Sequence, residues 1–199
     1  MKNRNAGSSL AFQLVLLALV CQEGNPGKVI HSVIGPYIAY SERFYMCEPN
    51  SSLLPWTLNL RGSHFNPYKP KKLQLLTGNV TGVNVLLDKH GWTKIILDIR
   101  SNNQWKENAF VFNFNKKGAC QVCKEQGPNF YKQIFKGEDK GACIIQPGVY
   151  EANNTPVDWI NPKVPLMPYG SYRFRLTFGN AENLYACWVI HAKTIPKTD

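Results

Sequence analysis

Ser171–Phe178 reads SYRFRLTF, and Leu184–Ala192 reads LYACWVIHA. In the first stretch Tyr172, Phe174, Leu176 and Phe178 alternate with Arg173, Arg175 and Thr177. Successive side chains on a strand point to opposite faces, so this period of two gathers the four apolar groups on one side. Gly179-Asn-Ala-Glu182 supplies a turn, and the returning stretch is rich in β-branched and aromatic residues. The pair predicts an antiparallel hairpin with one apolar and one wet face. On the wet face Arg173 and Arg175 meet solvent or an anionic headgroup.

The same alternation recurs upstream. Ala109–Asn115 (AFVFNFN) sets Phe110, Phe112 and Phe114 on one face, with Val111 and Asn113 opposite. Val80–Leu87 (VTGVNVLL) and Trp92–Ile99 (WTKIILDI) flank Asp88-Lys-His-Gly91, which predicts a further hairpin. Residues 128–136 (PNFYKQIFK) differ, because Phe130, Ile134 and Phe135 fall at helical spacing behind Pro128. They predict one short amphipathic helix. Gly148-Val-Tyr150 opens another extended piece. Residues 155–170 carry prolines at 156, 162, 165 and 168. Each proline lacks an amide donor, so a long loop is expected, bearing the apolar Val157, Trp159, Ile160, Val164, Leu166 and Met167. Residues 24–36 read as a lead-in. The fold class is mostly β: an antiparallel cup or sandwich of about eight strands with one short helix.

The chain start sets the expected compartment. Lys2 and Arg4 precede the apolar run LAFQLVLLALV at 10–20, and CQEGNPG then turns polar. This is the form of a secretory signal peptide over residues 1–21, cleaved between Val20 and Gly24, and the run is too short to span a bilayer. Residues 28–199 then form a single domain, soluble and extracellular. Of six cysteines, Cys21 lies at the edge of the leader. Cys47, Cys120, Cys123, Cys143 and Cys187 remain, an odd number, so one is free or bonded to another chain. Disulfides and the sequons at Asn50, Asn79 and Asn153 suit an oxidising compartment. The formal net charge is +10, and +8 without Lys2 and Arg4. That balance favours anionic surfaces such as a membrane. Apart from Lys69-Pro-Lys-Lys72 the basic residues are scattered, with no nucleic-acid motif.

No catalytic motif emerges. Cys120-Gln-Val-Cys123 has redox spacing, but a thioredoxin-like fold needs βαβ units, and only one helix is readable. There is no Gly-x-Ser-x-Gly and no His-Glu-x-x-His. His31, His64, His90 and His191 lack the spacing of zinc ligands, so neither metal nor cofactor is expected.

The C-terminal third runs Cys143-Ile-Ile-Gln-Pro-Gly148-Val-Tyr150, the proline-rich apolar loop, Pro168-Tyr-Gly170-Ser-Tyr172-Arg173, and a hairpin containing Cys187. This order resembles the ganglioside (sphingolipid) activator family and its insect relatives, the CheA chemosensory proteins, with an ML-like lipid-recognition cup. The likeness covers roughly residues 109–195. It implies a β-cup around an apolar cavity with a loop at its mouth, binding lipid without catalysis. It also implies that Cys143 pairs with Cys120 or Cys123, and Cys187 with Cys47. The chain has fewer cysteines than the activator proper, which favours the insect-type branch and a role in chemosensory perception. The wall candidates are Phe110, Phe112, Phe114, Phe130, Phe135, Tyr172, Phe174, Leu176 and Phe178; those at the mouth are Trp159, Leu166 and Met167. Expected partners are a lipid or other apolar small molecule, an anionic membrane surface and a protein receptor. The competing expectation is a secreted β-sandwich that binds protein and no lipid.

Overall fold

The computed structural model describes residues 33–47, 53–137 and 141–197, all within one compact unit, Val33–Asp199. The proposed leader, Cys21 and Asn50 lie outside the described residues. In chain order the elements are β1 (Ile34–Gly35), β2 (Tyr37–Met46), β3 (Trp56–Gly62), β4 (Gln74–Gly82), β5 (Trp92–Ser101) and β6 (Gln104–Phe114). Helices α1 (Ala119–Gln126) and α2 (Pro128–Phe135) follow, then β7 (Gly148–Val157), β8 (Met167–Pro168), β9 (Gly170–Asn180) and β10 (Asn183–Pro196). The chain is mostly β and antiparallel, as its alternation requires. Eight of these strands have seven residues or more; β1 and β8 are two-residue pieces that pair with each other.

A five-stranded sheet has the order β2-β10-β9-β5-β6, and a three-stranded sheet the order β3-β4-β7. The β9–β10 hairpin forms as its pattern predicts, with Ala181 at positive φ in the turn. Asn102 and Asn103, at φ 49° and 60°, close β5 onto β6. Two consecutive left-handed residues match the right-handed twist of flanking strands, and asparagine tolerates them.

Inner faces of the two sheets share one core. Trp56, Leu58, Leu60, Leu76 and Val80 from the small sheet meet Phe178, Ala186 and Trp188 from the large one. Tyr131, Ile134 and Phe135 of α2 close one side. Gly82 is required here, because a Cβ at that position would run into the indole of Trp56. Phe178 meets Trp188 edge-on at 5.0 Å, and Phe135 meets Tyr150 likewise at 5.0 Å. At this end the layers interlock.

Three expectations are corrected. Val80–Leu87 and Trp92–Ile99 do not form a hairpin: β4 pairs with β3 and β7, whereas β5 pairs with β6 and β9. Residues 83–91 carry the chain between sheets, and Leu87 bridges to Ile145 on the way. The expected loop starts later, since Thr155–Val157 complete β7. Pro156 is tolerated there because β7 is an edge strand, where a missing donor costs no ladder bond. Finally, α1 is a second helix beside the expected one.

Candidate functional site

The site is built from the large sheet's inner face. Strand register aligns Phe110, Leu97, Phe174, Ile190 and Phe44 in one row across all five strands. A second row holds Phe112, Ile95, Leu176, Trp188 and Met46, and a third Phe114, Thr93, Phe178 and Ala186. The small sheet covers this face unevenly. Phe178, Ala186 and Trp188 are buried in the shared core, whereas Ile95, Phe174 and Ile190 are half-buried. Phe110 and Phe112, on edge strand β6, are 42% and 46% exposed, with rings 6.5 Å apart and 22° from parallel.

The twelve candidate residues therefore divide. Phe135, Tyr172 and Phe178 are buried core, so their rings are filled against protein. Phe114, Phe130, Trp159, Met167, Phe174 and Leu176 are half-buried. Leu166 is exposed, as are Phe110 and Phe112. The mouth residues separate as well. Trp159 is held fast, its ring 5.8 Å from Phe44 and 5.9 Å from Phe130, while its indole N–H donates to Gln74 at 2.8 Å. Met167 pairs with Gly35 in the small β1–β8 ladder. Ile160, Val164 and Leu166 leave apolar surface in solvent along the same loop.

Buried Gln74 organises that corner. Its carbonyl accepts from the Ser41 amide, the Ser41 hydroxyl and Trp159. Its amide donates to the Ser41 and Ser63 carbonyls. One side chain thus ties β2 of the large sheet to β4 of the small sheet and to the loop. Glu125 fixes the loop from the other side, accepting from Lys117, Gln121 and, at 2.8 Å, from Lys163. These hydrogen bonds hold its carboxyl down at about 2.

Two clefts open near this framework. One, of about 400 Å3, lies at the interlocked end and is lined by Leu86, Asp88, His90, Phe178, Asn180 and Tyr185 among others. The second, of about 480 Å3, lies along the seam where edge strands β2 and β3 meet. Its lining is Glu42, Arg43, Phe44, Tyr45, Leu60, Arg61 and Gly62. Of the candidate walls, Phe178 touches the first and none the second. Arg43 and Arg61 went unnoticed in the sequence, because two arginines eighteen positions apart carry no local signal of a shared cleft.

On the opposite face of the large sheet, Asp98 is fully buried and accepts from Arg173 Nε at 2.7 Å, Arg175 Nη2 at 3.0 Å and the Asn108 amide. Arg173 also bonds Glu107 and lies over Trp105. The two arginines of the opening hairpin are thus engaged within the protein. His191 joins Tyr45 at 2.7 Å, and burial, with Arg173 nearby, holds its pKa down.

The disulfides are Cys47–Cys187, joining the residue after β2 to β10, and Cys120–Cys143, bracketing α2. The family resemblance left Cys120 and Cys123 open as partners of Cys143; Cys120 takes the role. Cys123 is a free thiol, pushed up to about 12 by burial. Cys120 and Cys123 thus do not bond each other, and a thiol so raised is a poor nucleophile at neutral pH. Among the described residues no histidine, cysteine or acidic cluster could hold a metal ion. No described helix is long and apolar enough to cross a membrane. Asn79 is half-buried on central strand β4, while Asn153 is exposed at an irregularity in edge strand β7.

Fold and site together define a disulfide-tied antiparallel β-sandwich whose larger sheet keeps part of its apolar inner face uncovered. No protein-family model matches the chain, and no curated protein matches it either.

Proposed function

We propose that this chain is a secreted, non-enzymatic carrier of a lipid or similar apolar molecule, of the ganglioside-activator and CheA kind, serving chemosensory perception. The observation that carries the reading is the pair Phe110 and Phe112. They stand half-exposed and side by side at the end of two continuous apolar rows. Large aromatic surface in water is unfavourable by about 25 cal/mol per Å2, so a ligand that covers it gains that amount. Each methylene withdrawn from water contributes about 0.8 kcal/mol, and a long chain binds by burial alone. The exposed Ile160, Val164 and Leu166 form an apolar lip suited to touching a membrane, and the positive net charge suits an anionic one.

The interlocked end of the sandwich favours a second reading, a protein-binding module whose partner covers the β6 edge. The experiment that separates the two is organic extraction of protein secreted from eukaryotic cells, followed by mass spectrometry. Lipid at close to one molecule per chain is the expected result. Extracts free of lipid favour the protein-binding module.

A further inference from the structure

The turn between β3 and β4 reads Ser63-His-Phe-Asn-Pro-Tyr-Lys-Pro-Lys-Lys-Leu73, and none of its residues is buried. It is nonetheless ordered. The Tyr68 amide donates to Asn66 Oδ1 at 2.9 Å, the Lys69 amide to the Asn66 carbonyl at 3.0 Å, and the Lys72 amide to the Lys69 carbonyl at 3.0 Å. Pro67 and Pro70 fix φ at two further positions. Phe65 stacks on Tyr40 at 4.2 Å and roots the turn on β2. Held in this way, Tyr68 stands 93% exposed beside the exposed Lys69, Lys71 and Lys72. Among the described residues none of these lysines is in an ion pair; the ion pairs involve Lys117, Lys163, Arg173 and Arg175. The sequence holds no aspartate or glutamate from Pro49 to Leu87.

Strand register brings the apolar loop to the same end of the molecule. β3 leaves the small sheet at Gly62, opposite Leu76, and β4 enters it at Gln74, opposite Val157, the last residue of β7. The basic turn and the loop after Val157 therefore emerge side by side, tied by the hydrogen bond from Trp159 to Gln74. The Tyr37 hydroxyl accepts from the Asn161 amide, which draws in the β1–β8 ladder with exposed Val33 and Ile34. Leu73 and Leu166 stand exposed there as well. The carboxylates tied to this loop are occupied, Asp158 by the Ile160 amide and Glu125 by Lys117 and Lys163. One end of the sandwich thus combines uncompensated cations with apolar tips.

We infer that the β3–β4 turn is an anchor for an anionic lipid surface, with Tyr68 set at headgroup level and Lys69, Lys71 and Lys72 against the negative groups. The inference rests on the carrier reading above and names the element that docks the carrier and the end that faces the bilayer. Tyrosine has an apolar ring with a polar tip, and it settles at the boundary between hydrocarbon and water. Each lysine near an anionic surface adds an attraction that fades within a Debye length. Lysine suits a surface of many headgroups, because a point charge on a flexible stem needs no fixed partner geometry. The turn is ordered before contact, so docking sacrifices little conformational freedom. The exposed ring of Tyr68 favours a lipid surface over a sulfated glycan, which offers it no apolar interior.

The test is co-sedimentation of protein secreted from eukaryotic cells with vesicles of phosphatidylcholine, alone or mixed with phosphatidylglycerol. Wild type should bind the mixed vesicles at least about tenfold more tightly than the neutral ones. Lys69→Gln/Lys71→Gln/Lys72→Gln should lose that preference. Lys89→Gln/Lys94→Gln/Lys116→Gln removes the same charge elsewhere and should keep most of it. Tyr68→Ser should weaken binding to the mixed vesicles severalfold. Equal loss in the two triple variants overturns the inference, since net charge alone then drives binding. Absence of any preference for mixed vesicles in wild type overturns it too. Unchanged binding by Tyr68→Ser, with heparin stripping wild type from the vesicles, overturns it in favour of a glycan site. Uptake of N-phenylnaphthylamine is read on the same samples. Failure to dock with uptake intact overturns the anchor and leaves the carrier reading standing, whereas docking without uptake overturns the carrier reading alone.

Discussion

The indole N–H of Trp159 donates to the amide oxygen of Gln74 across 85 positions of sequence, at 2.8 Å. The same oxygen takes two hydrogen bonds from Ser41, so one buried amide joins both sheets and the apolar loop. Gln74→Leu strands the Ser41 groups and the Trp159 donor in a dry site. The expected loss is about 3 kcal/mol, read from urea unfolding. Trp159→Phe keeps the ring contacts with Phe44 and Phe130 and should cost only about 1 kcal/mol. Equal stability of Gln74→Leu and wild type would show that the amide is not the tie.

The reason this tie was invisible in the sequence is instructive. Alternation reports which face a residue takes, so SYRFRLTF and its return gave a correct hairpin. It does not report which strand lies alongside. Val80–Leu87 and Trp92–Ile99 look like hairpin partners, yet each pairs elsewhere. Helix α1 escapes sequence reading because its core-facing residues, Ala119, Cys120, Val122 and Cys123, make an apolar face only if cysteine counts as apolar. Among site residues, the row Phe110, Phe112 and Phe114 was legible locally. The seam of Arg43 and Arg61 was not, since it exists only after two edge strands from different sheets meet.

Asp98 is a buried carboxylate between Arg173 and Arg175. Burial alone raises its pKa, but hydrogen bonds from the Asn108 amide, Arg173 and Arg175 more than offset this, and the net shift is downward. A depressed folded pKa means stability that is present above the unfolded value, near 3.9, and lost as pH falls through the folded one. Asp98→Asn should therefore destabilise the protein at pH 7 by about 3 kcal/mol and flatten the acid limb of its stability curve. Thermal unfolding from pH 7 down to pH 2 checks both. Parallel acid limbs in the two proteins would contradict the assignment.

Glu125 anchors the loop through Lys163, and its carboxyl titrates at about 2. The anchor should hold at pH 7 and weaken only as pH drops toward that value. Glu125→Gln removes it at neutral pH while keeping the shape. Limited trypsin digestion is the measurement, with cleavage after Lys163 expected to quicken severalfold in the variant. An unchanged cleavage rate would mean that the loop's other ties, from Asp158, Trp159 and Asn161, suffice to fix it.

Cys123 is the free cysteine of the described residues, and its thiol is raised to about 12. Native protein treated with iodoacetamide at pH 8 should leave the Cys123 peptide unmodified, and denaturation should label it fully. Rapid native labelling of both Cys120 and Cys123 would restore the redox reading of their spacing.

The central claim is that Phe110, Phe112 and the rows behind them accept an apolar ligand. Titration of delipidated protein with N-phenylnaphthylamine, a neutral fluorescent probe, tests this most directly. Wild type should show saturable enhancement at about one probe per chain. Phe110→Asp/Phe112→Asp, placed where both rings are already half in solvent, should bind at least about tenfold more weakly, following the apolar area lost. Linear, unsaturable fluorescence in wild type, or identical curves for the two proteins, would contradict the account.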